Sequence, residues 1–331
     1  MAAPIERLIL QSDWDQALRE RNGKAWVSHK SSVPPCDYSE LHGHGVSQDG
    51  LLYVTSKDEE FSVSNITKKS LLISFNGEQG SLSRKFVAPT ITFSTIHTPK
   101  KQVVSIDTTP GGLGVSSDSE GKLKLWQTNT GEVRRNLEGH VGDVYTCQFF
   151  PSGIVVLSAG ADMMVKVWSA ETGACAATIT GHKAAILGSD IIDRGRNIVT
   201  CSRDGTAKLW DVGQQACLYT FEEIGGDVNS CCTGIPANSI DLGTPSITRS
   251  DREIGTESKM LLLGCENGSL QGFGLESRDG SCFHITEHWE TTTELTGSDC
   301  DPIYSISSDG ENIFTSCRDG SIRKYSLRYI T

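Results

Sequence analysis

Gly121–Trp126 reads GKLKLW, Met164–Trp168 reads MVKVW and Thr206–Trp210 reads TAKLW. The three tryptophans stand 42 residues apart, and so do Gly139-His140 and Gly181-His182. Six residues before each tryptophan is an acid (Glu120, Asp162, Asp204), and ten before is a hydroxyl (Ser116, Ser158, Thr200). A histidine stands 28 residues before the second and third tryptophans (His140, His182). Short apolar runs such as Val155-Val156-Leu157 and Ile198-Val199 fit half-buried strands. Ser152-Gly153, Asp204-Gly205 and Asp319-Gly320 fit the hairpin turns between them. A unit of about four short strands cannot bury both faces alone, so successive units must stack.

A period in the low forties with G-H and a terminal tryptophan resembles the WD repeat. The resemblance implies an all-β fold, a WD-repeat β-propeller. It also implies one buried hydrogen-bonded chain per blade: His140, Ser158, Asp162 and Trp168 in one, His182, Thr200, Asp204 and Trp210 in the next. The first segment departs from the pattern, because His97 stands 29 residues before Trp126.

The repeat weakens toward the C-terminus. FTSCRDGSIRKY puts Tyr325 at the tryptophan position, and Ser298 falls where His140 sits. MLLLGCENGSLQGF puts Phe273 at the tryptophan position and Asn267 at the acid position, 63 residues after Trp210. The excess falls in a polar, turn-rich stretch over residues 237–258, read as a surface insertion. Asp279-Gly280 then opens the turn of a further blade only 12 residues after Asn267. The expectation is a seven-bladed parent with about a blade or more missing near residues 275–279. Domain boundaries are expected at residues 1–40, a small N-terminal extension, and 41–331, the propeller. In the extension Ser12 caps a short helix, and Trp14 and Trp26 pack it on the propeller. Residues 45–67 read as a degenerate first blade.

Net charge is -11. The short basic pairs Lys68-Lys69 and Lys100-Lys101 make no face for displacing counterions, so a nucleic-acid partner is not expected. No apolar run approaches the roughly 20 residues that cross a bilayer, and no membrane role is expected. The eleven cysteines form no C-x-x-C pair, and several lie in apolar strands, which suits a reducing compartment. Localisation is expected in the cytoplasm and the nucleus, as a monomer outside its complex.

Ser158, His140 and Asp162 are the residue types of a hydrolase triad. Their recurrence with the repeat marks structure instead, and the chain has no G-x-S-x-G. The Gly111–Gly114 cluster lacks the G-K-[ST] of a phosphate loop. Asp299 and Asp301 do not make a calcium cage. No enzyme activity, cofactor or metal is expected. Partner binding falls to rim loops carried on a rigid scaffold, with Asp143, Lys183, Arg203, Asp301 and Arg318 as candidates.

Beyond the generic repeat, QSDWDQALRE, IIDRGRNIVTCSRDGTAKLWD, REIGTESKMLLL and ELTGSDCDPIY resemble the proteasomal ATPase-associated factor family, WD-repeat proteins of the proteasome regulatory particle. The resemblance implies an assembly chaperone that binds base ATPase subunits and restrains their association with the core particle. The alternative is a WD-repeat adaptor such as a ubiquitin-ligase substrate receptor. Receptors of one such class carry W-D-x-R, whereas here Trp210-Asp211-Val212 is followed by Gly213.

Overall fold

The computed structural model describes residues 6–31, 36–77, 80–222, 224–236, 244, 250–278, 280–283, 292–297 and 301–330. Within them the chain forms seven four-stranded sheets. Five are propeller blades. Blade I comprises Val103–Thr108, Leu113–Asp118, Leu123–Gln127 and Val133–Leu137. Blade II comprises Val144–Phe149, Val155–Gly160, Met164–Ser169 and Cys175–Thr180. Blade III runs from Ile186–Ile192 to Ala216–Phe221, and blade IV from Val228–Gly234 to Gly280–Phe283. Blade V takes three strands from the C-terminus, Ile303–Ser308, Asn312–Cys317 and Ile322–Ser326, and its outermost strand, Ile91–Phe93, from before blade I. Blade V is thereby locked to the chain ahead of blade I.

The first strands of all five blades line one central cavity of about 240 Å³, represented by Ser105, Thr146, Ser189, Cys231 and Ser305. Polar side chains on these strands stitch blade to blade. Asp107 accepts from Phe149 N at 2.7 Å and from Ser307 Oγ at 2.8 Å, and Thr146 meets Ser189 at 2.8 Å. Asp190 accepts from Thr233 N and its hydroxyl. Strand edges that face a channel cannot be buried in apolar packing, so these bonds satisfy them.

The other two sheets precede the propeller. One pairs Arg7–Leu10, Lys24–Lys30, Asp37–Val46 and Leu52–Ser56; the other pairs Phe61–Ser64, Ser70–Gly77 and Gly80–Val87 with Thr293–Leu295 in parallel. They share one apolar core that includes Leu8, Val27, Leu41, Leu71, Ile73 and Phe86. The boundary expected at residue 40 therefore falls inside a strand, and the N-terminal unit runs to about Val87. The expected degenerate blade over residues 45–67 is divided between these two sheets, since the Lys57-Asp58 turn joins one to the other. The helix is a single turn, Trp14–Ala17, with Asp13 at its N-cap and no side-chain cap, so Ser12 does not cap it. Trp14 is fully buried, in the core of these two sheets and not on a propeller blade, whereas Trp26 is 36% exposed and lies against Tyr38.

Gly280–Phe283 pairs antiparallel with Leu270–Gly274 as the outermost strand of blade IV. The Gly280 end of the expected Asp279-Gly280 turn thus begins a strand that completes blade IV instead of opening a further blade; Asp279 and Ser298 lie outside the described residues. Most of the expected 237–258 insertion also lies outside them. Its end is not merely surface: Glu253 and Thr256 are buried, and Glu253 pairs with Arg278.

Candidate functional site

Both expected tetrads form, each as a relay with one direction. Trp168 Nε1 donates to Ser158 Oγ at 2.8 Å, and Ser158 lies 2.7 Å from His140 Nε2. His140 Nδ1 lies 2.8 Å from Asp162. Trp210, Thr200, His182 and Asp204 repeat this at 2.8 Å throughout. A neutral imidazole with its proton on Nδ1 satisfies every partner: tryptophan to hydroxyl, hydroxyl to Nε2, Nδ1 to carboxylate. Burial holds both imidazoles below their ordinary pKa, against the pull of the paired acids. Burial would raise Asp204, but bonds from the Thr206 hydroxyl, Lys183 N and His182 outweigh it and bring the carboxyl to about 2. The glycine before each histidine has φ of +149° and +145°, and a Cβ there would lie 3.2 and 3.1 Å from the Trp168 and Trp210 rings. This accounts for the G-H pair of the motif.

A third complete tetrad lies in blade I, where the sequence reading found only a partial match. Trp126 Nε1 donates to Ser116 Oγ at 3.0 Å, and Ser116 lies 2.7 Å from His97 Nε2. His97 Nδ1 meets Asp118 at 3.0 Å, so the acid is Asp118 and not Glu120. Glu120 is exposed and pairs with Lys101 and Lys122. Blade IV discards the network altogether. Ile224, Leu263 and Phe273 stand at the histidine, hydroxyl and tryptophan positions and belong to one apolar cluster. A half-satisfied buried network is worse than none, so the three change together. In blade V, Tyr325 is buried and its hydroxyl donates to Thr296 O at 2.7 Å.

The Ser158 and Thr200 side chains are wholly buried and engaged on both sides, so neither hydroxyl is presented to a substrate. Burial pushes the Cys147 thiol up to about 12, far from a thiolate nucleophile. Among the described residues no group of three or more histidine, cysteine, aspartate or glutamate side chains is placed to hold a metal, and no helix is long and apolar enough to cross a membrane.

The tetrads fix one rim. In every blade a backbone N–H of the loop between the second and third strands reaches the carbonyl just before the first strand: Ser119 to Gln102, Ala161 to Asp143, Arg203 to Ala185, Glu266 to Asp227 and Arg318 to Pro302. All five candidate partner-binding residues therefore lie on this rim. Lys183 and Arg203 are exposed. Asp143 is half-buried and accepts from Tyr145, a rim residue that the sequence reading did not single out. Burial and then Asp143 raise the Tyr145 pKa, and Arg203 opposes them, which places these three side chains in one electrostatic group. Arg318 pairs with Asp301 at 2.8 Å.

A family profile described as WD domain, G-beta repeat matches residues 131–169, 173–211 and 289–326. The human protein named Proteasomal ATPase-associated factor 1 is 45% identical over 397 aligned positions, covering 99% of each chain. The Gallus gallus protein of that name is 44% identical over 97% of this chain and 98% of its own. A Dictyostelium discoideum protein named Probable proteasomal ATPase-associated factor 1 is 37% identical over 82% of this chain and 64% of its own. Set against 331 residues, 397 aligned positions leave at least 66 opposite gaps in this chain, more than one 42-residue step of the repeat. Identity at this level along the whole chain, together with the repeats, places this chain in the proteasomal ATPase-associated factor 1 family.

Proposed function

We propose that this protein is a non-enzymatic scaffold that binds ATPase subunits of the proteasome regulatory-particle base. In this reading it acts as an assembly chaperone and restrains their association with the core particle, in the cytoplasm and the nucleus. The observation that carries the reading is identity along nearly the whole of both chains with relatives named for association with proteasomal ATPases. The site supports it in kind. Buried tetrads stiffen the blades, and one rim carries charged side chains of both signs on loops held by backbone bonds. With a net charge of -11, Asp143 and Asp301 suit a basic patch on an ATPase surface, where charge complementarity sets the rate and register of association.

Affinity capture of the tagged full chain from cytosol, read by mass spectrometry, tests this. Base ATPases without core-particle subunits are expected. Recovery of cullin-type ligase subunits in their place would overturn the reading in favour of a substrate receptor. Charge reversal at Asp143 and Asp301 together should abolish ATPase recovery; undiminished recovery would remove the rim from the proposal.

A further inference from the structure

The propeller repeats one interface between successive blades, and each half of it can be named. The near half, which meets the preceding blade, is represented in blade II by Val144, Cys147, Phe149 and Val156, packed against Val115, Leu123, Leu125 and Leu137 of blade I. All four are at most 8% exposed. The far half, which meets the following blade, is Leu157, Ala159, Val165 and Val167 in blade II, packed against Ile186, Ile198 and Trp210 of blade III. The chain makes this interface between blades I and II, II and III, III and IV, and V and I.

Among the described residues the two halves left over are less covered than their counterparts. Ile303, Ile306, Ser308 and Ile313 of blade V occupy the places of Val144, Cys147, Phe149 and Val156, and Ile303 and Ile306 are 38% and 62% exposed. Ile313 is half-buried, where Val156 is fully buried. Leu262, Gly264, Leu270 and Gly272 of blade IV occupy the places of Leu157, Ala159, Val165 and Val167; the first three are half-buried, although their counterparts in blade II are 0% exposed, and Gly272 is buried. Strand register confirms the correspondence: Leu157 pairs with Val167 and Ala159 with Val165, as Leu262 pairs with Gly272 and Gly264 with Leu270. The far half of blade IV and the near half of blade V therefore stand, in register, where the two surfaces of a contact that this chain makes elsewhere stand, with apolar side chains kept at three places on blade V and two on blade IV.

We infer that two copies of this chain pack head to tail, the near face of blade V in one on the far face of blade IV in the other. The occupant follows from the chain's own construction: each copy carries one surface of each kind, built on the same register as the internal interfaces. Such a contact is heterologous, so a dimer keeps one free surface of each kind and growth does not stop at two. This departs from the monomer expected from sequence. It is independent of the ATPase-binding rim, which lies on the loops and not on the sheet faces.

Sedimentation of the purified full chain tests it, over concentrations from about 1 to about 100 µM. The wild type should move from the 35.8 kDa monomer to dimers and larger species as concentration rises. Ile306→Glu changes a side chain already in solvent and should remain monomeric throughout, with an unchanged circular-dichroism spectrum. Leu270→Glu should do the same from the other surface. Mixing the two variants should restore dimers but nothing larger, because each retains one intact surface. A wild type that stays monomeric at the highest concentration would overturn the inference. So would association that survives Ile306→Glu. If Leu270→Glu fails to fold, the Ile306→Glu comparison still decides the matter.

Discussion

His97 and Asp118 face each other at 3.0 Å across blade I, although Asp118 stands two residues ahead of the position from which blades II and III supply their acids. The turn explains how. In blades II and III, Asp162 and Asp204 sit inside the turn and accept the N–H of Met164 and Thr206. In blade I, Asp118 sits at the turn's start, next to a register shift after Ser117, and accepts the N–H of Glu120 and of Lys122, the counterpart of Met164. The same backbone donor and the same histidine are held by a carboxylate that reaches from the other end of the loop.

It follows that Asp118→Ala should destabilise the protein and Glu120→Ala should not. Removing Asp118 leaves the buried His97 ring and two turn N–H groups without their acceptor, a loss of about 1–3 kcal/mol. Glu120 is exposed and pairs only with surface lysines. Thermal midpoints of the two variants check this; equal shifts would mean that the acid had been misplaced. His140→Ala should cost a similar amount, on the order of 1–3 kcal/mol, by orphaning Ser158 and Asp162.

Acid sensitivity should arrive in two stages. Burial holds His140 and His182 below the ordinary histidine pKa of about 6.5, so the unfolded chain takes up protons that the folded chain refuses. Their contribution is full above that pH and declines as pH falls through the interval below it. Asp204, brought down to about 2 by its bonds, contributes stability that is present above its ordinary value of 3.8 and lost as pH falls toward 2. The thermal midpoint should therefore hold steady at neutral pH, decline below about 6.5 and decline again below about 4. The double variant His140→Gln/His182→Gln should flatten the first decline and keep the second. A first decline of undiminished slope would place its origin in other groups.

What the sequence made legible was whatever repeats at a fixed offset. Blades II and III keep every offset, so their tetrads were readable residue by residue. Blade I was not, because two added residues before the first strand, against one fewer in the hairpin that follows it, moved His97, and a shifted register moved the acid; only Ser116 and Trp126 kept their places. The N-terminal unit was illegible for a different reason. Its strands alternate in hydrophobicity as a blade's do, and nothing local tells a strand which sheet will bury its face. Trp14 is buried in the core of the N-terminal unit and not on a propeller blade, and the acceptor of its indole N–H, Thr296, lies 282 residues away beside the strand Thr293–Leu295 that joins the second N-terminal sheet.

The Asp107 carboxylate offers a contrasting test between adjoining blades. Burial raises its pKa, while bonds from Phe149 N, Ser307 and Thr108 N partly offset that. Above its folded pKa the charge is held at a penalty, which disappears as pH falls through that pKa. Asparagine keeps an acceptor for Phe149 N and removes the charge. Asp107→Asn should therefore match or exceed the wild type at pH 7.5, with the difference shrinking toward low pH. Asp107→Ala, which leaves Phe149 N and the Ser307 hydroxyl without their acceptor, should lose about 1–3 kcal/mol. Chemical denaturation of the three proteins at two pH values separates charge from hydrogen bonding.

Thr296 joins three parts of the molecule at one residue. Its hydroxyl accepts from Trp14 Nε1 at 2.8 Å and lies 3.2 Å from Val87 O, and its carbonyl accepts from Tyr325 at 2.7 Å. Trp14 belongs to the N-terminal helix, Val87 ends the second N-terminal sheet and Tyr325 lies in blade V. Thr296→Val keeps the shape and the carbonyl but leaves the buried Trp14 N–H without an acceptor, at a cost of about 1–3 kcal/mol. The loss should be local. Hydrogen exchange should quicken in the helix and in the strands through Val87, while blades II and III keep their protection, because their tetrads do not reach this junction. Thr296→Ser retains the hydroxyl and should restore protection. If exchange quickened equally in blades II and III, Thr296 would be part of one global unit and not the joint between two.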